Sequence, residues 1–319
     1  MKNPKNSTLL TVFFLLIGII ILQACSSDEA ATSATNATCS FTTTGSLTAS
    51  TSTTSTDPVC YNTTYSVPYT EGLSHSGERT DSNCNCPSGV STSHASGVPD
   101  WIKNNFCCVT TTMTGGDTKV KIQFTGQPAH KSHYWGSSDA CYESAPSVKQ
   151  MNPNSTSAQT FTLEVPKSPS IGTGSGDDTP YSAVGVAVNG ASFFNNEAAP
   201  GDDLTNEIKS MDFGNGHPTD TGSYHYHIEP CYLSNNDSRL IGLMADGFPI
   251  YGQKDPDTGN AASCITTAVN GYTINASDHC ITATDGSNGQ PGYSYHILTS
   301  DPYVIADYVG TSPATLQTN

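Results

Sequence analysis

Residues 222–231 alternate aromatic and imidazole side chains, and this pattern constrains the fold more than any other stretch of the chain. Successive side chains of a β-strand point to opposite faces of its sheet. A strand here places His225 and His227 on one face, and Tyr224 and Tyr226 on the other. Two imidazoles on one strand face can hold a single metal ion.

Further histidines lie in a few short segments elsewhere in the chain. Residues 293–296 form a second, weaker copy of the tetrapeptide, in which Ser294 stands where the first copy has a histidine. His217 lies just upstream of the first copy, and His130 and His133 follow a strand-like run. Six of the nine histidines therefore fall in three segments, which favours a shared site.

The remaining pattern favours β-structure. Alternating or continuously apolar runs are separated by turn signals such as Asn189-Gly190 and Asp246-Gly247. The strand candidates are residues 119–124, 160–165, 183–188, 192–194, 240–244, 248–251, 271–274 and 303–304. Only two short helical segments are expected, at residues 101–106 and 202–209. The expected fold is all-β, a disulfide-rich β-sandwich or irregular barrel with long loops and little helix.

The N-terminus carries an export signal. Lys2 and Lys5 precede an apolar core at residues 9–22, which is shorter than a usual membrane span. Residues 22–25, Leu-Gln-Ala-Cys, resemble the bacterial lipobox, and the resemblance implies cleavage before Cys25 and lipidation of Cys25. The alternatives are an ordinary cleaved signal or an uncleaved anchor. We expect a cell-envelope protein, lipid-anchored to the outer membrane or cell surface and facing the periplasm or exterior.

Cysteine content agrees with export. Without Cys25, ten of the eleven cysteines remain, and an even number in an exported chain predicts up to five disulfides of undetermined connectivity. Thiolate metal sites are disfavoured, because Cys84 and Cys86, like Cys107 and Cys108, lack the usual two-residue spacing.

Composition and spacing suggest a domain plan. A signal peptide at residues 1–24 precedes a Ser/Thr-rich tether at 25–57, a Cys-rich lobe at 58–117 and the main domain at 118–319. The net charge of -16, with only 12 lysines and arginines, argues against nucleic-acid binding.

Several separate motifs, taken in order, resemble the bacterial YHYH domain family over about residues 118 to 310. They are residues 126–130, 186–190, 216–217, 224–227, 240–242, 246–252 and 293–296. The resemblance implies a domain identity and an exported protein rather than a particular reaction, because the family's activity is poorly defined. Ser294 leaves only the first repeat complete.

Two hypotheses explain the histidines. In the first, His225, His227 and His217, with His130 or His296, bind copper or zinc. In the second, the histidines and tyrosines form a hydrogen-bonded ladder in a structural or adhesive surface protein.

Catalysis is left open by the sequence. No Gly-x-Ser-x-Gly signature, phosphate loop or dinucleotide fingerprint is found, so any reaction would depend on the metal and on an open coordination position. Glu229 is a candidate ligand or base, and Asp246 a candidate partner of a ligand histidine.

Overall fold

The computed structural model describes residues 64–65, 73–74, 86–145, 151–174, 176–199, 204–212, 214–234, 238–286, 289–311, 313–314 and 316–318. The predicted signal peptide, the tether and Cys25 lie outside these residues. No helix in this part of the chain is long and apolar enough to span a membrane.

The described residues form short strands and two short helices. The strands are β1 (Thr64–Tyr65), β2 (Leu73–Ser74), β3 (Ser93–His94), β4 (Val109–Thr114), β5 (Lys119–Phe124), β6 (Phe161–Pro166), β7 (Asp177–Asp178), β8 (Gly185–Ala187), β9 (Ser192–Phe193), β10 (Gly216–Pro218), β11 (Tyr224–Tyr226), β12 (Leu240–Met244), β13 (Pro249–Tyr251), β14 (Ile281–Ala283), β15 (Tyr293–His296), β16 (Asp307–Tyr308) and β17 (Gln317–Thr318). The helices are α1 (Asp100–Lys103) and α2 (Leu204–Glu207), and α2 continues as a 3-10 turn, Ile208–Ser210.

One sheet has five strands in the order β17-β6-β5-β4-β3. Strand β5 shows the expected alternation, with Val120 and Ile122 buried and Lys119 exposed. Strands β4 and β5 pair along their whole length as a hairpin. This hairpin crosses the boundary expected between residues 117 and 118, so β4 belongs to the same sheet as β5.

The second sheet has eight strands in the order β10-β11-β9-β8-β12-β13-β15-β14. Asn189-Gly190 and Asp246-Gly247 turn the β8–β9 and β12–β13 hairpins, as their sequences predict. Gly190 and Gly247 adopt φ of 81° and 93°, a conformation that residues with a side chain rarely take.

This sheet consists of two four-stranded units with the same pairing pattern. In the first unit, β8 pairs antiparallel with β9, β9 parallel with β11, and β11 antiparallel with β10. In the second unit, β12, β13, β15 and β14 repeat these relations in the same order. The units meet where β8 and β12 run antiparallel, with Val186 opposite Leu243. The faint copy of the tetrapeptide at residues 293–296 is thus the trace of a repeated unit.

A shared hydrophobic core joins the two sheets. One cluster of buried side chains contains Ile122 and Leu163 from the five-stranded sheet and Val186, Phe193 and Leu243 from the eight-stranded sheet. Burial of this apolar surface from both sheets is the main stabilising contribution. The prediction of an all-β, sandwich-like fold with little helix is confirmed.

Disulfides reinforce this core. Cys86 pairs with Cys108, and Cys264 with Cys280. Cys107, Cys141 and Cys231 are disulfide-bonded as well. Every cysteine of the described residues is therefore oxidised, as an exported chain predicts.

Two strand predictions were wrong. Tyr272 makes only isolated bridges with Gly174 and Val269, because Asn270 and Gly271 adopt positive φ and turn the chain sharply. Tyr303 also has a positive φ, 48°, which a strand does not accommodate. The two predicted helical segments are present as α1 and as α2 with its 3-10 turn.

Candidate metal centre

Three histidines of the first four-stranded unit converge at one end of the sheet. His217 on β10 lies directly opposite His225 on β11, and His227 follows β11 immediately. Strand parity accounts for the shared face of His225 and His227. One nitrogen from each ring lies within 4.8 Å of those of the other two, and each residue is only 4% exposed. We call His217, His225 and His227 the histidine triad.

Backbone carbonyls fix the tautomers of His225 and His227. The Nδ1 atom of His225 lies 3.0 Å from the carbonyl oxygen of Ser223, and that of His227 lies 2.7 Å from the carbonyl oxygen of Asn195. A carbonyl oxygen only accepts hydrogen bonds, so both Nδ1 atoms carry the proton. In the neutral rings, Nε2 then holds the lone pair.

The same reasoning applies to His217. Its Nδ1 lies 2.7 Å from the hydroxyl oxygen of Ser210, and that hydroxyl donates to the carbonyl oxygen of Glu207 at 2.8 Å. With its own proton committed, the Ser210 oxygen accepts from the Nδ1–H of His217. The Glu207 carboxylate lies 3.5 Å from the same nitrogen and reinforces this tautomer. All three rings are therefore oriented by a hydrogen bond that Nδ1 donates.

The front of the triad brings two lone pairs together. The Nε2 atoms of His225 and His227 are 3.0 Å apart. Burial lowers the pKa of His227 to about 4, and burial, followed by the neighbouring imidazoles, lowers the pKa of His225 well below its ordinary value. A proton shared between the rings is thus disfavoured at neutral pH. The two lone pairs therefore repel each other unless a cation other than a proton lies between the two nitrogens.

A cavity of about 420 Å³ adjoins the triad. Phe194 forms an apolar wall, with its ring stacked on His225 at a centroid distance of 3.9 Å. The remaining wall includes three carboxylates and three side-chain amides, from Glu197, Glu207, Asp220, Asn152, Asn154 and Asn195. All three histidines form part of the wall of this cavity.

His130 does not join the triad. It lies on the tyrosine face of β11, where its Nδ1 donates to the carbonyl oxygen of Lys131 at 2.8 Å. Its Nε2 accepts from the Tyr226 hydroxyl at 2.9 Å, and its ring stacks on Tyr232 at 4.5 Å. His133 lies nearby, against Tyr134. Because β11 separates the two faces, His130 belongs to a buried His/Tyr network of the ladder type.

His296 lies in the second four-stranded unit, also away from the triad. Its Nδ1 donates to the carbonyl oxygen of Gly252 at 3.0 Å. Its Nε2 lies 2.8 Å from the Thr282 hydroxyl and 3.4 Å from that of Ser294. Hydroxyl donors therefore satisfy the lone pair of His296.

The two acidic candidates, Glu229 and Asp246, form their hydrogen bonds away from the triad. Glu229 is buried and accepts hydrogen bonds from Ser234 and Gln253. Asp246 accepts from the Tyr295 hydroxyl at 2.6 Å in the second unit and does not contact the triad. Sequence reasoning missed the groups that accept the Nδ1 hydrogen bonds of the triad. The carbonyl of Asn195 leaves no side-chain signal, and Ser210 is an ordinary residue of the predicted helix.

Comparison with known proteins identifies the domain. Residues 162–307 match the family model described as YHYH protein. No curated protein and no solved structure matches the chain. The matched residues contain both four-stranded units and the whole triad, and start in β6, later than the boundary near residue 118 that the motifs indicated. Residues 162–307 of this chain therefore form a YHYH domain.

Proposed function

We propose that this protein is an exported lipoprotein of the cell envelope whose YHYH domain binds a transition metal ion, copper or zinc, through His217, His225 and His227. The observation that carries the proposal is the pair of Nε2 atoms 3.0 Å apart, both presenting lone pairs. A cation between them turns this repulsion into coordination.

The geometry suits a metal ion. Zinc–nitrogen bonds of about 2.0–2.1 Å in a tetrahedral site place two ligand nitrogens about 3.3 Å apart. The observed separation is close to this value. Ligand histidines also usually donate their other ring N–H to a carbonyl or a carboxylate. His225 and His227 do so through Nδ1, and His217 does so to the Ser210 hydroxyl.

A purely structural ladder explains the other histidines better than it explains the triad. His130 accepts from Tyr226, and His296 lies within hydrogen-bonding distance of Thr282, so each has a hydroxyl donor. His225 and His227 face each other through Nε2 instead. Imidazole ligands suit zinc and copper alike, so the donor set leaves both metals as candidates.

The decisive experiment replaces two histidines of the first unit with the residues at the equivalent positions of the second unit. In the variant His217→Thr/His225→Ser, a threonine hydroxyl can donate to the remaining His227, as Thr282 can to His296. The purified mature domain should bind one zinc or copper ion per chain, and the variant should bind none while keeping its circular dichroism spectrum. The measurement is metal content after dialysis against a micromolar excess of metal.

A matched control removes a buried histidine outside the triad. His296→Gln should leave the metal content unchanged, because His296 contacts Thr282 and Gly252 instead of the triad. Equal metal content in the wild type and in a folded His217→Thr/His225→Ser variant would show that these residues are not ligands. A wild type that takes up neither metal would favour the ladder.

The lipid anchor is proposed from the lipobox-like residues 22–25, and the oxidised cysteines of the domain support export. Fatty-acid labelling in the producing cell should mark the wild-type chain and lose the label in Cys25→Ala. Equal labelling of both chains would exclude Cys25 as the attachment site.

A further inference from the structure

We propose that the metal centre keeps one coordination position open to the adjoining cavity, and that it binds uncharged nitrogen or oxygen donors there in preference to anions. This inference rests on the proposed metal site. It goes further by assigning the site to the ligand-binding type instead of the closed structural type, and by naming the class of ligand.

The first step concerns the ligand count. Among the described residues, the group of metal-ligating side chains ends at three histidines. Glu207 is not a member of this group, and its carboxylate lies 3.5 Å from Nδ1 of His217, the nitrogen that faces Ser210. Structural zinc sites have four protein ligands, whereas catalytic sites have three and leave the next position to water or substrate. A three-histidine set belongs to the second group.

The second step concerns space. The cavity of about 420 Å³ has His217, His225 and His227 in its wall, so the open position faces a volume large enough for a small organic molecule. Asn152 forms part of the same wall and is held in place, because its amide donates to the carbonyl oxygen of Pro218 at 2.9 Å. Its position is therefore set before a ligand arrives.

The third step concerns charge. Glu197, Glu207 and Asp220 line the cavity, and the described lining contains neither lysine nor arginine. Three carboxylates outnumber the two positive charges of a divalent ion, and the whole chain has a net charge of -16. Fields of one sign that converge in a cleft raise the local concentration of the opposite sign and exclude like charges. Anions are therefore disfavoured at this metal, whereas uncharged nitrogen or oxygen donors are not.

The test uses the mature protein loaded with Co²⁺, whose visible spectrum reports changes in coordination. Imidazole at pH 8, where it is uncharged, should change the spectrum at a concentration about tenfold lower than azide does. The difference between the effective concentrations of azide and imidazole should become smaller at high salt, because salt screens the charges of the exposed Glu197 and Asp220. Cobalt content is measured before and after titration, so that removal of the ion by imidazole is recognised.

A charge-neutralising variant tests whether the cavity carboxylates cause the preference for uncharged ligands. Glu197→Gln/Asp220→Asn changes neither the triad nor its outer hydrogen bonds, and should raise azide affinity about three- to tenfold while leaving imidazole affinity within about twofold. Azide binding more tightly than imidazole, with no response to neutralisation, would overturn the ligand class. Bound cobalt whose spectrum responds to no ligand would show a closed centre and overturn this inference alone. A protein that retains no metal would instead refute the proposed function.

Discussion

The two four-stranded units of the eight-stranded sheet place different chemistry at equivalent positions. His217 opposite His225 in the first unit corresponds to Thr282 opposite Ser294 in the second. The third position is a histidine in both units, and in both its Nδ1 donates to a backbone carbonyl just beyond the parallel neighbouring strand. At these three positions, the two units thus differ in two side chains. Two hydroxyls give the remaining histidine a donor, whereas two imidazoles bring together lone pairs that could hold a metal ion.

The opposite face of the sheet shows a second contrast. In the first unit, the amide of Asn189 donates to the Tyr226 hydroxyl at 3.0 Å, and that hydroxyl donates to His130. In the second unit, Tyr295 donates to the carboxylate of Asp246 at the equivalent turn. The tyrosine is retained while the direction of its hydrogen bond with the turn residue is reversed. Repeated backbone pairing therefore tolerates exchanges of polar partners, provided that each buried group is still satisfied.

The largest expected effect is the gain of a second metal site. Thr282→His/Ser294→His gives the second unit the three histidines of the first, at positions whose strand pairing is the same. The double variant should bind two metal ions per chain instead of one, measured as metal content of the purified mature protein. Both positions are buried, so overpacking should lower the free energy of unfolding by about 1–3 kcal/mol.

The single variant Ser294→His is the matched control. Two histidines alone should hold the second ion weakly, so dialysis should return this variant to one ion per chain. A double variant that keeps its circular dichroism spectrum yet binds only one ion would show that matching strand pairing is insufficient for metal binding. The surroundings of the first unit, such as Phe194 stacked on His225, would then be required.

Local pattern predicted part of this site and long-range pairing decided the rest. The period of two in a strand was enough to place His225 and His227 together, and proximity in sequence indicated His217. The positions of His130 and His296 depend on which strands become neighbours. In particular, β11 pairs with β9, and β15 with β13, in parallel across long connections. Local sequence patterns do not encode such pairings. The sequence therefore could not show that His130 and His296 would lie away from the triad.

The turn residues were likewise only half predictable. Asn189-Gly190 and Asp246-Gly247 were predicted as hairpin turns because both dipeptides favour them. That their side chains would bond to tyrosines on distant strands could not be read from the sequence, because the partners meet only when the sheet is complete. Asp246 was predicted to be a turn residue, and the structure adds that it is buried at 1% exposure.

Burial of Asp246 has a thermodynamic consequence that Asn189 lacks. Removal from water raises the pKa of this carboxyl to about 6 from its ordinary 3.8, although hydrogen bonds from Tyr295, Phe248 and Gly310 oppose the shift. As the pH falls below 6, the folded protein takes up a proton on Asp246 before the unfolded chain does. This group therefore stabilises the fold below pH 3.8, and the contribution is lost as the pH rises through 6.

A smaller effect than the gain of a metal site is thus expected from Asp246→Asn, and it appears in the pH dependence of stability. Between pH 7 and pH 4, the unfolding free energy of the wild type should rise relative to that of the variant by about 2 kcal/mol. This is most of the equivalent of the change in pKa, because pH 4 lies just above the ordinary pKa of 3.8. Urea unfolding of both metal-free proteins at the two pH values measures this difference. The contribution of the histidines to the pH dependence cancels, because both proteins contain the same histidines.

Asn189→Ser, at the equivalent turn, removes an uncharged donor and should lower stability by about 1 kcal/mol equally at both pH values. Parallel pH profiles for the wild type and Asp246→Asn would mean that the three hydrogen-bond donors offset burial and leave the pKa of the carboxyl at its ordinary value. The contrast between the two turns would then be one of hydrogen-bond direction alone.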